Sequence, residues 1–207
     1  CRKMLGVVLK NKEMCGDLKQ IAAFLLLNDL QKEDSVKCLQ TGGADGFSTF
    51  MSYYILTAMT KCCTAEETLT AMRDYYGAML DLGATTFWED FDMKWIENAC
   101  RLDEICDETK TDIHGDNGKY CYKGFRHSLC HGWSAGPTAW LSDHVLGVKV
   151  VDAERKWVKI EPHLGHLKWV KGTYPTPWGV IEVSHVRQAD GHVASQVKLP
   201  KGVKRIK

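Results

Sequence analysis

The spacing of apolar residues changes at Gly147, and the change predicts an α+β chain of two parts. Residues 1–147 read as helical, with apolar side chains recurring at intervals of three and four. Residues 148–207 read as a small antiparallel β-module, with alternating apolar and polar residues punctuated by Gly172, Gly179 and Gly191. No internal repeat or low-complexity tract interrupts either part.

The first helical pattern covers Asp17 to Leu30 and a shorter one covers Glu33 to Leu39. STFMSYYILTAMTKCC follows, with Ser48 as its N-cap. It is apolar on nearly every face, the mark of a helix buried on all sides. The clearest helix runs from Ala65 to Leu82. Thr64 and Glu67 form a capping box at its start. Leu69, Met72, Tyr76, Met79 and Leu80 form its apolar stripe, and Gly83 fits the left-handed residue that ends it. The loop GATTFWED comes next, then FDMKWIENA (Phe91 to Ala99) reads as another helix. Thr111 to His131 reads as a long loop, and long loops in compact domains commonly carry function. In SAGPTAWLSDHVLG, Pro137 suits a first helical turn and Gly147 an end.

The β-module draws on WVKIEP, LKWVKGTYPTPWGVIEVSH and HVASQVKL. Pro175 and Pro177 belong at an edge or a turn. Trp157, Trp169 and Trp178 read as inter-layer core rather than a sugar-binding face.

Hydrophobic content of 44%, charged content of 26% and a net charge of +1 describe an ordinary globular chain. A charge so near neutral argues against nucleic acid or an anionic membrane as partner. The basic C-terminal run KLPKGVKRIK reads as a solvated strand and tail. IAAFLLL, the longest apolar run, is far short of the ~20 residues a membrane span needs. Nine cysteines with no CxxC pair and no zinc spacing read as reduced and structural, with a disulfide among Cys106, Cys121 and Cys130 as the alternative. Neither a metal nor a cofactor is implied. His114, Asp116, His127, Cys130 and His131 cluster in one loop, but their spacings match no zinc signature.

GATTFWEDFD, HGWSAGPTAWLSDHVLGVK and IEPHLGHLKWVKGTYPTPWGVIEV, in that order, resemble the family 78 glycoside hydrolases, the α-L-rhamnosidases. The resemblance covers roughly Gly42 to Val183. It implies a catalytic (α/α)6 barrel of six helical hairpins followed by a C-terminal β-sandwich. About six helices are legible where a barrel needs twelve. The resemblance therefore implies the C-terminal half of a longer enzyme, with the general acid in an N-terminal half that completes the barrel. Half a barrel would expose apolar helix faces, so self-association of the isolated chain is expected.

Inverting hydrolysis needs an acid on one face of the sugar and an ionised carboxylate on the other, ~6.5–9.5 Å away, to activate water. On position alone Glu89 reads as the first-turn acid of the next helix; the resemblance implies the general base. Asp90 and Asp92 read as helix caps. His131 resembles the family's histidine that binds rhamnose hydroxyls, since an imidazole can donate and accept at once. Trp88 reads as lining the cleft beside Glu89, with Trp133 either beneath an apolar sugar face or packing at the barrel mouth. Arg126, with Tyr120 and Tyr122, is either near substrate or packing the loop down. The implied partner is a rhamnose-containing oligosaccharide or glycoside. A non-catalytic carbohydrate-binding or scaffold protein, and a related hydrolase for another sugar, remain open readings.

Overall fold

The computed structural model describes residues 18–30, 32–114 and 127–206, which fall into two compact units divided between Pro137 and Thr138. The division lies inside one continuous helical segment. Among the described residues, helices joined by long turns form the first unit and strands dominate the second.

In the first unit α1 is Lys19–Leu27, α2 is Lys32–Gln40, α3 is Ser52–Cys62 and α4 is Ala65–Asp81. The signals at the two ends of α4 are both used. The Thr64 amide donates to Glu67 Oε2 at 2.7 Å and the Glu67 amide to Thr64 Oγ1 at 3.2 Å, closing the capping box. At the other end the Gly83 amide donates to Leu80 and the Ala84 amide to Met79, both at 2.9 Å. This Schellman pair needs the positive φ of 90° that Gly83 adopts. The buried stripe of α4 is turned relative to the expected one. Tyr75 is fully buried, whereas Leu80 is 64% exposed.

α3 begins a turn later than Ser48 and is not buried all round. Ile55, Leu56, Ala58 and Met59 are buried, while Tyr54 is open. FDMKWIENA does not form a full helix. It makes only a 3-10 turn at Met93–Ile96, capped by Asp92 Oδ1, which accepts from the Lys94 amide at 2.9 Å. Asn98 then turns left-handed at φ 56°, and Ala99 forms a bridge with Thr111. Long-range pairing thus wins over a weak local preference. A 3-10 turn at Gly132–Ala135 leads into α5, Gly136–Trp140, and a π turn at Leu141–Val145. Pro137 is the second residue of α5, where its missing amide proton costs nothing.

The second unit holds two three-stranded sheets. β1 (Val148–Asp152), β2 (Trp157–Ile160) and β6 (Lys204–Ile206) form one, with β2 central, antiparallel to β1 and parallel to β6. That parallel pair departs from an all-antiparallel module. β3 (Trp169–Thr176), β4 (Gly179–Arg187) and β5 (Val193–Lys198) form the other, antiparallel throughout. Pro175 lies on β3, an edge strand, where its missing N–H does not interrupt a ladder. Inward residues of both sheets meet in one core: Val148, Val158 and Ile160 from the first, Ile181 and Val183 from the second, with Leu146 and Val203. This is a β-sandwich. Each such aliphatic side chain contributes about 1.5–3 kcal/mol of burial.

Trp178 packs on that core, as expected. Trp169 does not; it is 65% exposed at the start of β3, and Trp157 is half-buried with the Arg155 guanidinium 4.8 Å from its ring. Buried His185 satisfies both ring nitrogens, Nε2 on the Leu146 carbonyl at 3.1 Å and Nδ1 with Ser195 Oγ at 2.7 Å. Gly147 ends the helical segment at φ 74°, and a β-carbon there would fall on the Glu161 carbonyl. Gly147→Ala is therefore expected to combine a left-handed penalty of about 1–2 kcal/mol with a backbone clash. Urea unfolding should show the second unit destabilised by more than that penalty alone.

Candidate active site

The site is built where GATTFWED runs beside Ser128 to Ser134. Burial drives its base. Trp88 is 0% exposed and Phe91 1%, with their ring centroids 6.0 Å apart. Tyr75 adds an edge-on ring 5.4 Å from Phe91 and donates its hydroxyl to the Phe91 carbonyl at 2.6 Å. Trp88 therefore supports the loop from beneath. Its expected place on the cleft lining is corrected: an indole with no exposed surface cannot stack on a sugar.

A loop over so apolar a base must find donors for its carbonyls. The segment HGWS provides them. The His131 amide donates to the Phe87 carbonyl at 2.8 Å, the Ser134 hydroxyl to that of Trp88, and Trp133 Nε1 to that of Glu89 at 2.7 Å. Thr49 Oγ1 is a second donor to the Glu89 carbonyl. The Glu89 amide donates to the Ser128 carbonyl at 2.8 Å, and Glu89 Oε2 accepts from the Ser128 amide at 2.9 Å. Gly136 lets this segment approach α3, since a β-carbon there would lie 2.8 Å from Tyr53 Cβ.

Glu89 is thus fixed at its amide, its carbonyl and one carboxylate oxygen, with its side chain 14% exposed. His131 Nδ1 lies 3.9 Å from Glu89 Oε2, its own side chain 31% exposed. Its ring centroid is 4.2 Å from that of Trp133, which is half open to solvent, and Phe50 stands edge-on 5.6 Å beyond. Glu89, His131 and Trp133 are therefore brought together. Chemically, they form a fixed carboxylate beside an imidazole and exposed aromatic surface. Arg126, Tyr120 and Tyr122 lie outside the described residues.

Asp90 is not a helix cap. Its Oδ1 accepts from the Phe91 amide at 2.9 Å. Burial holds its carboxyl above the usual carboxylate range, opposed by that amide and by His127, and reinforced by Asp92 and Glu89. The Asp90 amide donates to His127 Nε2 at 3.1 Å, and His127 Nδ1 lies 3.3 Å from His114 Nδ1. Sequence reading gave these two histidines no role in the site; their only signal was a shared loop. Burial pushes His127 below its ordinary value and His114 down to about 4. Among the described residues no group of three or more His, Cys, Asp or Glu is placed to hold a metal. Cys106 and Cys130 are free thiols, and Cys121 lies outside the described residues. No helix of the described residues is long and apolar enough to cross a membrane.

Along the chain, then, a helical unit with a clamped acid loop is followed by a β-sandwich. Residues 147–206 match the family model described as the bacterial alpha-L-rhamnosidase C-terminal domain. The GH78 family rhamnosidase of Bacillus sp. GL1 superposes with a TM-score of 0.63 at 25% identity, over 91% of this chain and 19% of that one. The alpha-L-rhamnosidase of Dictyoglumus thermophilum gives 0.62 at 19% identity, over 90% and 20%. The Streptomyces avermitilis alpha-L-rhamnosidase complexed with L-rhamnose gives 0.62 at 16%, over 92% and 18%. No curated protein matches. Residues 147–206 thus carry the C-terminal domain of the bacterial alpha-L-rhamnosidases, and the chain as a whole shares the fold of the matched GH78 rhamnosidase. It spans about a fifth of the length of the solved structures it matches.

Two outcomes test the site's build. Ser134→Ala leaves the buried Trp88 carbonyl without its donor, and should cost about 1–3 kcal/mol in urea unfolding. His114 stays neutral in the folded chain down to about 4, while the unfolded chain protonates near 6.5. The unfolded state binds the proton first, so stability should fall as pH drops from about 6.5 to 4. That fall should be shallower in His114→Gln, read by urea unfolding across this range.

Proposed function

We propose that this chain is the C-terminal portion of an inverting, exo-acting α-L-rhamnosidase in which Glu89 is the general base. The observation that carries the reading is Glu89 itself: backbone clamped on both sides, one oxygen anchored, beside the exposed ring of Trp133 and within 3.9 Å of His131. A general base must hold water in one direction, and a carboxylate on a rigid loop does so without reorganising. His131 binds sugar hydroxyls, and Trp133 offers an apolar sugar face its ring. Arg126 is a further proposed substrate contact.

Residues 1–147 form part of an (α/α)6 barrel, and residues 148–207 the sandwich that follows it. The general acid and the remaining hairpins come from an N-terminal half of the parent chain. The open Leu80, Phe24 and Phe50 side chains support such a partner, and account for the expected self-association of the chain alone. The substrate is a glycan or glycoside with a terminal α-L-rhamnose, as the names of the matched rhamnosidases suggest.

The test is hydrolysis of an aryl α-L-rhamnoside by the parent-length protein and its Glu89→Gln form. Glutamine keeps an oxygen for the Ser128 amide but cannot take a proton. A loss of about 10²–10⁴-fold in kcat, with an unchanged circular dichroism spectrum, is the expected result. Equal rates would reduce Glu89 to a structural acid. Inactivity of both would favour another sugar or a binding role.

A further inference from the structure

The loop that carries Glu89 has a support that the proposed chemistry does not use: two imidazoles in series. The Asp90 amide donates to His127 Nε2, and His127 Nδ1 meets His114 Nδ1, with the rings inclined by only 19°. Proton counting fixes both tautomers. An amide can only donate, so His127 Nε2 is bare and the neutral ring carries its proton on Nδ1. That proton is donated to His114 Nδ1, which places the His114 proton on Nε2. His114 is itself seated edge-on against buried Trp88, with centroids 4.5 Å apart.

The peptide plane joining Glu89 to Asp90 is therefore held at both ends. Thr49 and Trp133 donate to its carbonyl, and His127 accepts from its amide. Of these three holders only the imidazole titrates. We propose that His127, kept as its Nδ1–H tautomer by His114, is a positioning residue for Glu89. The inference rests on Glu89 being the general base. A proton on His127 Nε2 would replace an acceptor with a donor facing the Asp90 amide. A proton on His114 Nδ1 would set two N–H groups head to head. Either event releases the peptide plane and, with it, the aim of the carboxylate.

The charged groups around the pair are Glu89, Asp90 and His131 on His127, and Asp112 on His114; Asp92 acts on Asp90. The neutral rings of Trp88 and Trp95 complete its surroundings, 6.3 and 6.1 Å from His127. Burial disfavours the protonated form of both histidines. The device thus holds at neutral pH and lets go in acid.

Two measurements test the proposal. In nitrogen-15 imidazole spectra of the full chain at neutral pH, His127 should show a protonated Nδ1 and a bare Nε2. In the parent-length protein, His127→Leu should lower kcat on the order of 10²-fold, as for a slightly misplaced group, with KM little changed. His127→Gln, whose amide oxygen can accept the same proton, should recover most of that loss. It should also remove one proton from the acid limb of the kcat profile. A protonated Nε2 would overturn the proposal, as would full activity in His127→Leu, or an acid limb unchanged in His127→Gln. The spectrum decides the tautomer even if no rhamnoside is cleaved. Inactivity of the unsubstituted parent would instead count against the rhamnosidase reading on which the inference rests, so the two failures are distinguishable.

Discussion

The site depends on a single set of hydrogen bonds, those that HGWS gives to the consecutive carbonyls of Phe87, Trp88 and Glu89. Trp88 and Phe91 must be buried, and burying them drags the polar backbone of the same loop out of water. An unpaired buried carbonyl would cost much of what the aromatic rings contribute. One short segment repairs this with three different donors: a backbone amide, a hydroxyl and an indole N–H. The residue types in HGWS are thus explained by the donors they supply. His131, Ser134 and Trp133 meet the carbonyls of Phe87, Trp88 and Glu89 in turn, while the His131 ring lies by the carboxylate and against the Trp133 ring.

This arrangement separates the jobs of neighbouring residues in the loop. Trp88 and Phe91 anchor, Glu89 is held beside His131, and Asp90 ties the end of the loop to the histidine pair. Tyr75 and Tyr76 carry the tie into α4. Tyr75 bonds the Phe91 carbonyl, and Tyr76 bonds both Ser52 and the Ser134 carbonyl. A carboxylate held through so many packed neighbours loses little entropy on reaching a reactive geometry, which is what water activation demands.

Local signals were legible in the sequence and non-local ones were not. Thr64, Glu67 and Gly83 marked the ends of α4 because caps are satisfied within a few residues. Gly147, edge-strand Pro175 and the alternation around Ile181 and Val183 were readable for the same reason. The segment after Phe91 reads as a helix in sequence, but its conformation is set by a bridge to Thr111 and by aromatic packing of Phe91 and Trp95. Periodicity could not decide whether Tyr75 or Leu80 faced inward. Trp169 and Trp88 were each assigned the wrong environment, since a tryptophan suits either side of a surface. Glu89, His131 and Trp133 came from motifs rather than from any physical pattern. His127 and His114 had neither motif nor period, and only the fold sets them against Asp90.

Each unit buries an imidazole with both nitrogens engaged, and the partners decide what a proton would do. His185 donates to the Leu146 carbonyl through Nε2, so its Nδ1 accepts from the Ser195 hydroxyl. A hydroxyl can reverse its role. If Nδ1 takes a proton, Ser195 turns and accepts, and both bonds survive. His127 has no such latitude, because the Asp90 amide can never accept and His114 Nδ1 must stay bare. Burial penalises charge on both rings, but only at His127 does the charge also break a bond. The same residue type is therefore a fixed brace in the sandwich and a conditional one beneath Glu89. The difference comes from a hydroxyl partner in one case and an amide in the other.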